Sequence, residues 1–204
     1  SCVNEIGERQ KADNISGLLG ETGFRQYMDQ QDTPLETGYL LRIGIDHFKE
    51  INDNFGQEYG EFVLRKTADC ISSCISEAQK VYKLVADEFL ILDVSSDKVR
   101  NAEKLYDKVR EAIDRFIEAN KFKVMYTVSG GIVPFAALKG NQYSEALKLT
   151  DFALNEAKKL GRNRCYIFNE ETYRRFLRKR EITQELREAV NNGFRGFRAF
   201  YQPV

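Results

Sequence analysis

GYLLRIGIDHFKEINDNFG, residues 38–56, decides how the rest of the chain is read. Tyr39, Leu41, Ile43 and Ile45 fall on one face of an extended segment, and Leu40, Arg42, Gly44 and Asp46 on the other, the period of two that marks a strand. HFKEINDNFG then reads as a short helix that ends near Gly56.

Downstream, Gly60 to Ile75 places Leu64, Ala68, Ile71 and Ile75 on one helical face. Val81–Leu84 and Phe89–Asp93 are apolar runs flanking Val85-Ala86-Asp87-Glu88, which predicts a hairpin. Lys98–Ala119 carries Val99, Ala102, Leu105, Tyr106, Val109, Ile113, Phe116 and Ile117 at amphipathic spacing. Phe122–Pro134 predicts a strand interrupted at Gly130-Gly131. Tyr143–Leu160 predicts a helix stopped by Gly161, and Arg164–Phe168 a short closing strand.

Upstream, Gly23–Gln30 predicts a short helix followed by a polar loop through Pro34, and Asp13–Leu18 a cap-and-turn segment. Residues 1–12 are polar and read as a connecting helix. Helices packed on one mainly antiparallel sheet give an α+β layer architecture. Beyond Asn169 the character changes. Residues 170–193 are highly charged, with a thin apolar seam of Tyr173, Phe176, Leu177, Ile182, Leu186 and Val190, and read as a linker helix. Residues 194–204, FRGFRAFYQPV, turn aromatic and strand-like, as the first strand of a further domain would.

Composition excludes several classes. Lys+Arg and Asp+Glu balance at 31 each over 204 residues, so no global field favours a polyanion, which argues against a dedicated nucleic-acid binder. No apolar run approaches the ~18 residues of a membrane span. The polar start has no signal-peptide core. Cys2, Cys70, Cys74 and Cys165 show no CxxC spacing, and Cys70 with Cys74 reads as two half-buried helix residues. A cytoplasmic setting is the default expectation, with a membrane anchor upstream compatible with it. His47 is the single histidine, which rules out a histidine-rich metal site.

Five ordered segments resemble the GGDEF family of diguanylate cyclases. Asp13-Asn14-Ile15-Ser16-Gly17-Leu18 is similar to the family's entry motif D-x-L-T-G-L, and Ile45–Asp53 to its D-H-F-K-x-I-N-D segment, continued by Phe55-Gly56 and Gly60-Glu61. Val85-Ala86-Asp87-Glu88-Phe89 stands where the signature hairpin belongs. Thr127–Ile132 and Ala157–Asn163 complete the set. The resemblance covers residues 13–169 and implies a nucleotide-cyclase fold like the polymerase palm, with a ferredoxin-like core. Ala199–Val204 is similar to the opening of an EAL domain, a cyclic-di-GMP phosphodiesterase, which makes that domain the expected C-terminal partner.

The family joins two GTP molecules, one per domain of a symmetric pair, into cyclic-di-GMP. Such phosphoryl transfer relies on positioning and on divalent ions held between carboxylates. By resemblance, Asp87 is one metal carboxylate and Glu88 a catalytic neighbour, while the other metal position is Gly44, which has no side chain to offer. Asp46 shares the strand face of Gly44 but lies ~6.6–6.8 Å along it, too far to substitute. Val85 and Ala86 replace two glycines, which predicts a turn of altered shape or side chains in nucleotide space.

Asn52 and Glu61 map to guanine reading. Lys49, Lys158 and Arg162 map to phosphate contacts, and Lys83 to a basic position before the hairpin. The product-inhibition motif R-x-x-D would fall at Ser76-Glu77-Ala78-Gln79, where both residues are missing. The expectation is a degenerate GGDEF domain that regulates, binds GTP, holds Mg²⁺ weakly if at all, and forms a homodimer. A weak diguanylate cyclase and a dimerisation or spacer module are the alternatives.

Overall fold

The structure, a computed structural model, describes residues 13–193 apart from 32, 34, 97, 121, 123 and 141. The expected N-terminal helix and C-terminal strand both fall outside the described residues. Contacts divide the chain into two units that meet between Phe168 and Asn169.

In the first unit the elements run β1 (Leu19–Gly20), α1 (Glu21–Asp29), β2 (Tyr39–Ile45), α2 (Phe48–Phe55), α3 (Gln57–Cys74), β3 (Gln79–Lys83), β4 (Glu88–Asp93), α4 (Val99–Ala119), β5 (Val128–Pro134), α5 (Tyr143–Lys159) and β6 (Cys165–Ile167). The six strands form one mixed sheet in the order β1-β3-β4-β2-β5-β6. Its four central strands pair antiparallel, while the edges β1 and β6 pair parallel with β3 and β5. The α+β expectation holds.

β2 lies at the centre and both its faces are covered. Tyr39, Leu41, Ile43 and Ile45 join Leu64, Ala68 and Ile71 of α3 and Leu105, Val109 and Ile113 of α4 in one core. α5 covers the other face, its Leu154 lying over Gly44 and Gly131. Burying each such Leu or Ile contributes about 1.5–3 kcal/mol.

One strand differs from expectation. β5 starts at Val128, because Phe122 instead joins an aromatic cluster with Tyr59, Phe62 and Phe116. Gly130 and Gly131 do not interrupt it. They pair in register with Ile43 and Arg42 of β2. A Cβ on Gly131 would lie 2.3 Å from the Leu154 backbone nitrogen, so glycine lets α5 seat directly on the sheet. The two-residue β1 was too short to carry a period.

The second unit contains α6 (Glu170–Asn191), whose cap residue Asn169 accepts the Thr172 N–H at 2.9 Å. Ile182, Leu186 and Val190 follow one another at four-residue spacing and are exposed.

Candidate nucleotide site

The end of β2, the β3–β4 hairpin and the last turn of α5 meet at one corner of the sheet. Gly44 stands opposite Glu88 in the β2–β4 ladder, and the Ile45 N–H donates to the Asp87 carbonyl at 3.2 Å. The hairpin tip is thereby held in register with the strand end.

The Leu84 N–H donates to the Glu88 carbonyl at 2.9 Å and leaves Val85, Ala86 and Asp87 as the loop. Ala86 carries a positive φ of 56°, and Val85 does not. The turn keeps one left-handed residue and puts it on the smaller of the two, at a cost of roughly 1–2 kcal/mol. Val85 projects away, 72% exposed.

Beneath the loop, the buried Lys83 ammonium donates to the carbonyls of Leu84 (2.7 Å), Ala86 (2.5 Å) and Glu88 (3.4 Å). Its donors are spent on the hairpin itself. Burial lowers its pKa below the ordinary lysine value, against the opposing pull of Asp13, Asp87 and Glu88.

Asp46 is also fully engaged. Oδ1 accepts from Ser129 Oγ at 2.7 Å, and Oδ2 from Thr127 Oγ1 at 2.7 Å and from the Asn163 N–H at 3.1 Å. The turn it holds, Gly161-Arg162-Asn163, has positive φ throughout and exposes Arg162 just past the end of α5.

Glu88 bridges two cations. Its Oε2 lies 2.5 Å from Arg42 Nη2 and accepts from Arg42 Nε at 2.7 Å, and its Oε1 lies 3.8 Å from Lys158 Nζ. Burial raises the Asp87 pKa above the usual aspartate value; Lys158 and Lys83 pull it down and Glu88 pushes it up.

A Cβ on Gly44 would lie 3.1 Å from both Lys158 Nζ and Leu154 Cδ2, so a lysine amine stands where the missing side chain would begin. Among the described residues no three His, Cys, Asp or Glu side chains converge as a metal site would require. Mg²⁺ asks for several oxygen ligands at ~2.0–2.1 Å in octahedral geometry. One carboxylate position without a side chain, a neighbouring ammonium and an engaged Asp46 do not fit a pair of divalent ions.

Beside the hairpin lies a cavity of about 290 Å³ lined by Phe48, Asn52, Gln57, Glu61, Leu64 and Ala86. The Oδ1 of Asn52 is buried and has no hydrogen-bond partner among the described residues. Gly60 allows this approach, since a Cβ there would lie 1.8 Å from that oxygen. Gln57 Nε2 reaches Glu61 Oε1 at 3.5 Å, a long contact that leaves the carboxylate with further acceptor capacity.

The structure thus brings Gly44, Asp87, Glu88 and Lys158 to one corner, with Lys83 underneath, and Asn52 and Glu61 to the adjoining cavity. Lys49 lies exposed on the first turn of α2. Ser76 and Gln79 form a turn of their own, the Ser76 N–H donating to Gln79 Oε1 at 2.9 Å. Sequence reasoning missed Arg42 as a partner of Glu88. Its position two residues before Gly44 on the same strand face was the available signal.

The family profile described as "Diguanylate cyclase, GGDEF domain" matches residues 10–164, and the chain belongs to that family. Cyclases of this family use GTP and Mg²⁺, and their domains often dimerise. The chain is similar to the cyclic di-GMP phosphodiesterase NbdA of Pseudomonas aeruginosa, 27% identical over 98% of this chain and 25% of that protein. It is also similar to the diguanylate cyclases VdcA of Vibrio cholerae (28%, covering 74% of this chain and 45% of that one) and DgcZ of Escherichia coli (28%, 80% and 55%). The chain therefore spans between a quarter and just over half the length of these relatives.

Among solved structures, the GGDEF domain of TpbB (YfiN) from Pseudomonas aeruginosa superposes with a TM-score of 0.70 at 22% identity, over 81% of this chain and 99% of that one. The coiled coil and GGDEF domain of DgcB from Caulobacter crescentus, in complex with c-di-GMP, gives 0.67 at 19%, over 81% and 90%. These likenesses carry the fold. Among the described residues no helix is long and apolar enough to cross a membrane.

Proposed function

We propose that this chain is a regulatory GGDEF domain that binds GTP without joining two of them, and that it acts on a cyclic-di-GMP phosphodiesterase domain of the same protein. The observation that carries the reading is the cavity holding Asn52 and Glu61, with its unpaired amide oxygen, beside a corner that lacks a carboxylate at Gly44. Guanine presents N1–H and N2–H₂ donors on one edge, which suit the Glu61 carboxylate and the Asn52 oxygen. Adenine sets a ring acceptor where guanine has N1–H, so it would face the carboxylate with a lone pair.

Lys158 and Arg162, near the end of α5 and in the turn after it, are the residues assigned to the phosphates, with Lys49 as an outer contact. Asp87 and Glu88 are what remains of the catalytic pair. The match to NbdA supports the phosphodiesterase link, because it runs through 98% of this chain, whereas the VdcA and DgcZ matches cover 74% and 80%. Dimerisation through a second GGDEF domain fits the family's habit.

Calorimetric titration with GTP and with ATP tests the reading. Heat with GTP and at least about tenfold weaker binding of ATP is expected. No heat at millimolar GTP would leave a dimerisation or spacer module instead. A weak cyclase is the second reading, favoured by the retained Asp87 and Glu88. Chromatography after incubation with GTP and Mg²⁺ or Mn²⁺ would detect its product.

A further inference from the structure

We propose that the Lys158 ammonium stands in for the divalent cation, so that this domain takes the triphosphate of a guanine nucleotide free of metal. The inference rests on the GTP-binding reading and adds to it what neutralises the phosphates.

Lys158 fills the space a metal carboxylate would use. A Cβ on Gly44 would meet its Nζ at 3.1 Å and its Cε at 3.4 Å. The surrounding carboxylates already face cations. Glu88 pairs with Arg42 at 2.5 Å and lies 3.8 Å from Lys158, while Asp151 lies 3.7 Å from Arg42. Asp87 is the one metal-ligand position still occupied by a carboxylate, and Lys158 and Lys83 are its charged neighbours alongside Glu88. A divalent ion entering here would have to displace an ammonium and would find too few oxygens.

An anion faces the carboxylates of Asp87 and Glu88, but Arg42 neutralises Glu88, and Lys158 and Lys83 stand beside Asp87. The Lys158–Glu88 contact is long, and Glu88 keeps the closer Arg42 if Lys158 turns away. An ammonium needs only oxygen acceptors at ~2.7–2.9 Å, which triphosphate oxygens supply without the octahedral geometry of Mg²⁺. Lys158 is partly exposed, at 23% of its side chain, so it is reachable from solvent.

The test titrates the 204-residue chain with GTP by calorimetry in Mg²⁺ buffer and again in EDTA, for the native chain and for Lys158→Gln. The native Kd is expected to agree within about threefold between buffers, and Lys158→Gln to bind at least about tenfold more weakly in EDTA. In parallel, the electron paramagnetic resonance signal of Mn²⁺ is expected to show no site contributed by the protein alone.

A native chain that loses about tenfold or more on chelation needs a divalent ion, which overturns the inference and leaves GTP binding intact. Silence in both buffers removes GTP binding and the inference with it. Should Lys158→Gln fail to fold, the comparison of buffers on the native chain decides alone.

Discussion

Asp46 accepts the backbone N–H of Asn163 at 3.1 Å, tying the end of the central strand to a turn 117 residues further along. The same carboxylate takes the hydroxyls of Thr127 and Ser129. A residue two places beyond Gly44 is therefore a structural anchor, and it presents Arg162 as a by-product.

Asp46→Ala should destabilise the domain by about 3 kcal/mol, because it strips the partner from a buried serine hydroxyl, a threonine hydroxyl and a backbone N–H. Asp46→Asn should cost less, since one oxygen remains. Urea unfolding reads both, as a lower midpoint with an unchanged slope. An unchanged midpoint for Asp46→Ala would contradict the anchoring role.

Gly44→Asp should fail to produce cyclase activity. The new Cβ would crowd Leu154 and Lys158 at 3.1 Å, and its carboxylate would pair with the lysine before it met a metal. The Ala86 side chain would remain on the wall of the neighbouring cavity. Chromatography of products after incubation with GTP and Mg²⁺ checks this, and vigorous turnover by the single variant would refute it.

Ala86→Gly should stabilise the domain modestly, by about 0.5–1 kcal/mol. Relief of the left-handed strain exceeds the ~0.4–1 kcal/mol lost to greater freedom of the unfolded chain. Val85→Gly should give no gain, since Val85 is not among the positive-φ residues. Thermal melts of the two variants separate these effects; equal shifts would argue against the assigned turn.

Stability should fall steeply above pH ~10. Burial pushes the phenols of Tyr39, Tyr82, Tyr106 and Tyr126 up, Tyr126 to about 12. A raised folded pKa contributes stability that is complete below the unfolded value of 10 and disappears as pH climbs through the folded one. Tyr39 and Tyr106 also donate to Asp93 and to the Val128 carbonyl, bonds that ionisation would abolish. Tyrosinate absorbance should show these phenols titrating together with loss of far-ultraviolet dichroism. Smooth titration on a folded chain would refute it.

Much of the fold was legible. The alternation from Tyr39 to Asp46 marked a strand, though only the structure set it at the centre of the sheet with both faces covered, and the long period from Val99 to Ile117 gave α4. The start of β5 was not, because Phe122 has strand-like character but finds a better partner in an aromatic cluster. Gly130-Gly131 suggested a break by local propensity, whereas helix packing demanded bare backbone there.

The site divides in the same way. That Gly44 brings no side-chain oxygen, and that Val85 and Ala86 both carry side chains, follows from residue identity at single positions, and no packing can reverse it. Where the cations settle was a tertiary matter. Lys83 turned inward to the hairpin carbonyls, Arg42 took Glu88, and Lys158 came to rest over Gly44. Long flexible side chains carry charge several ångströms from their own backbone, so their partners are chosen by how α5 and the hairpin seat on the sheet, which no local pattern records.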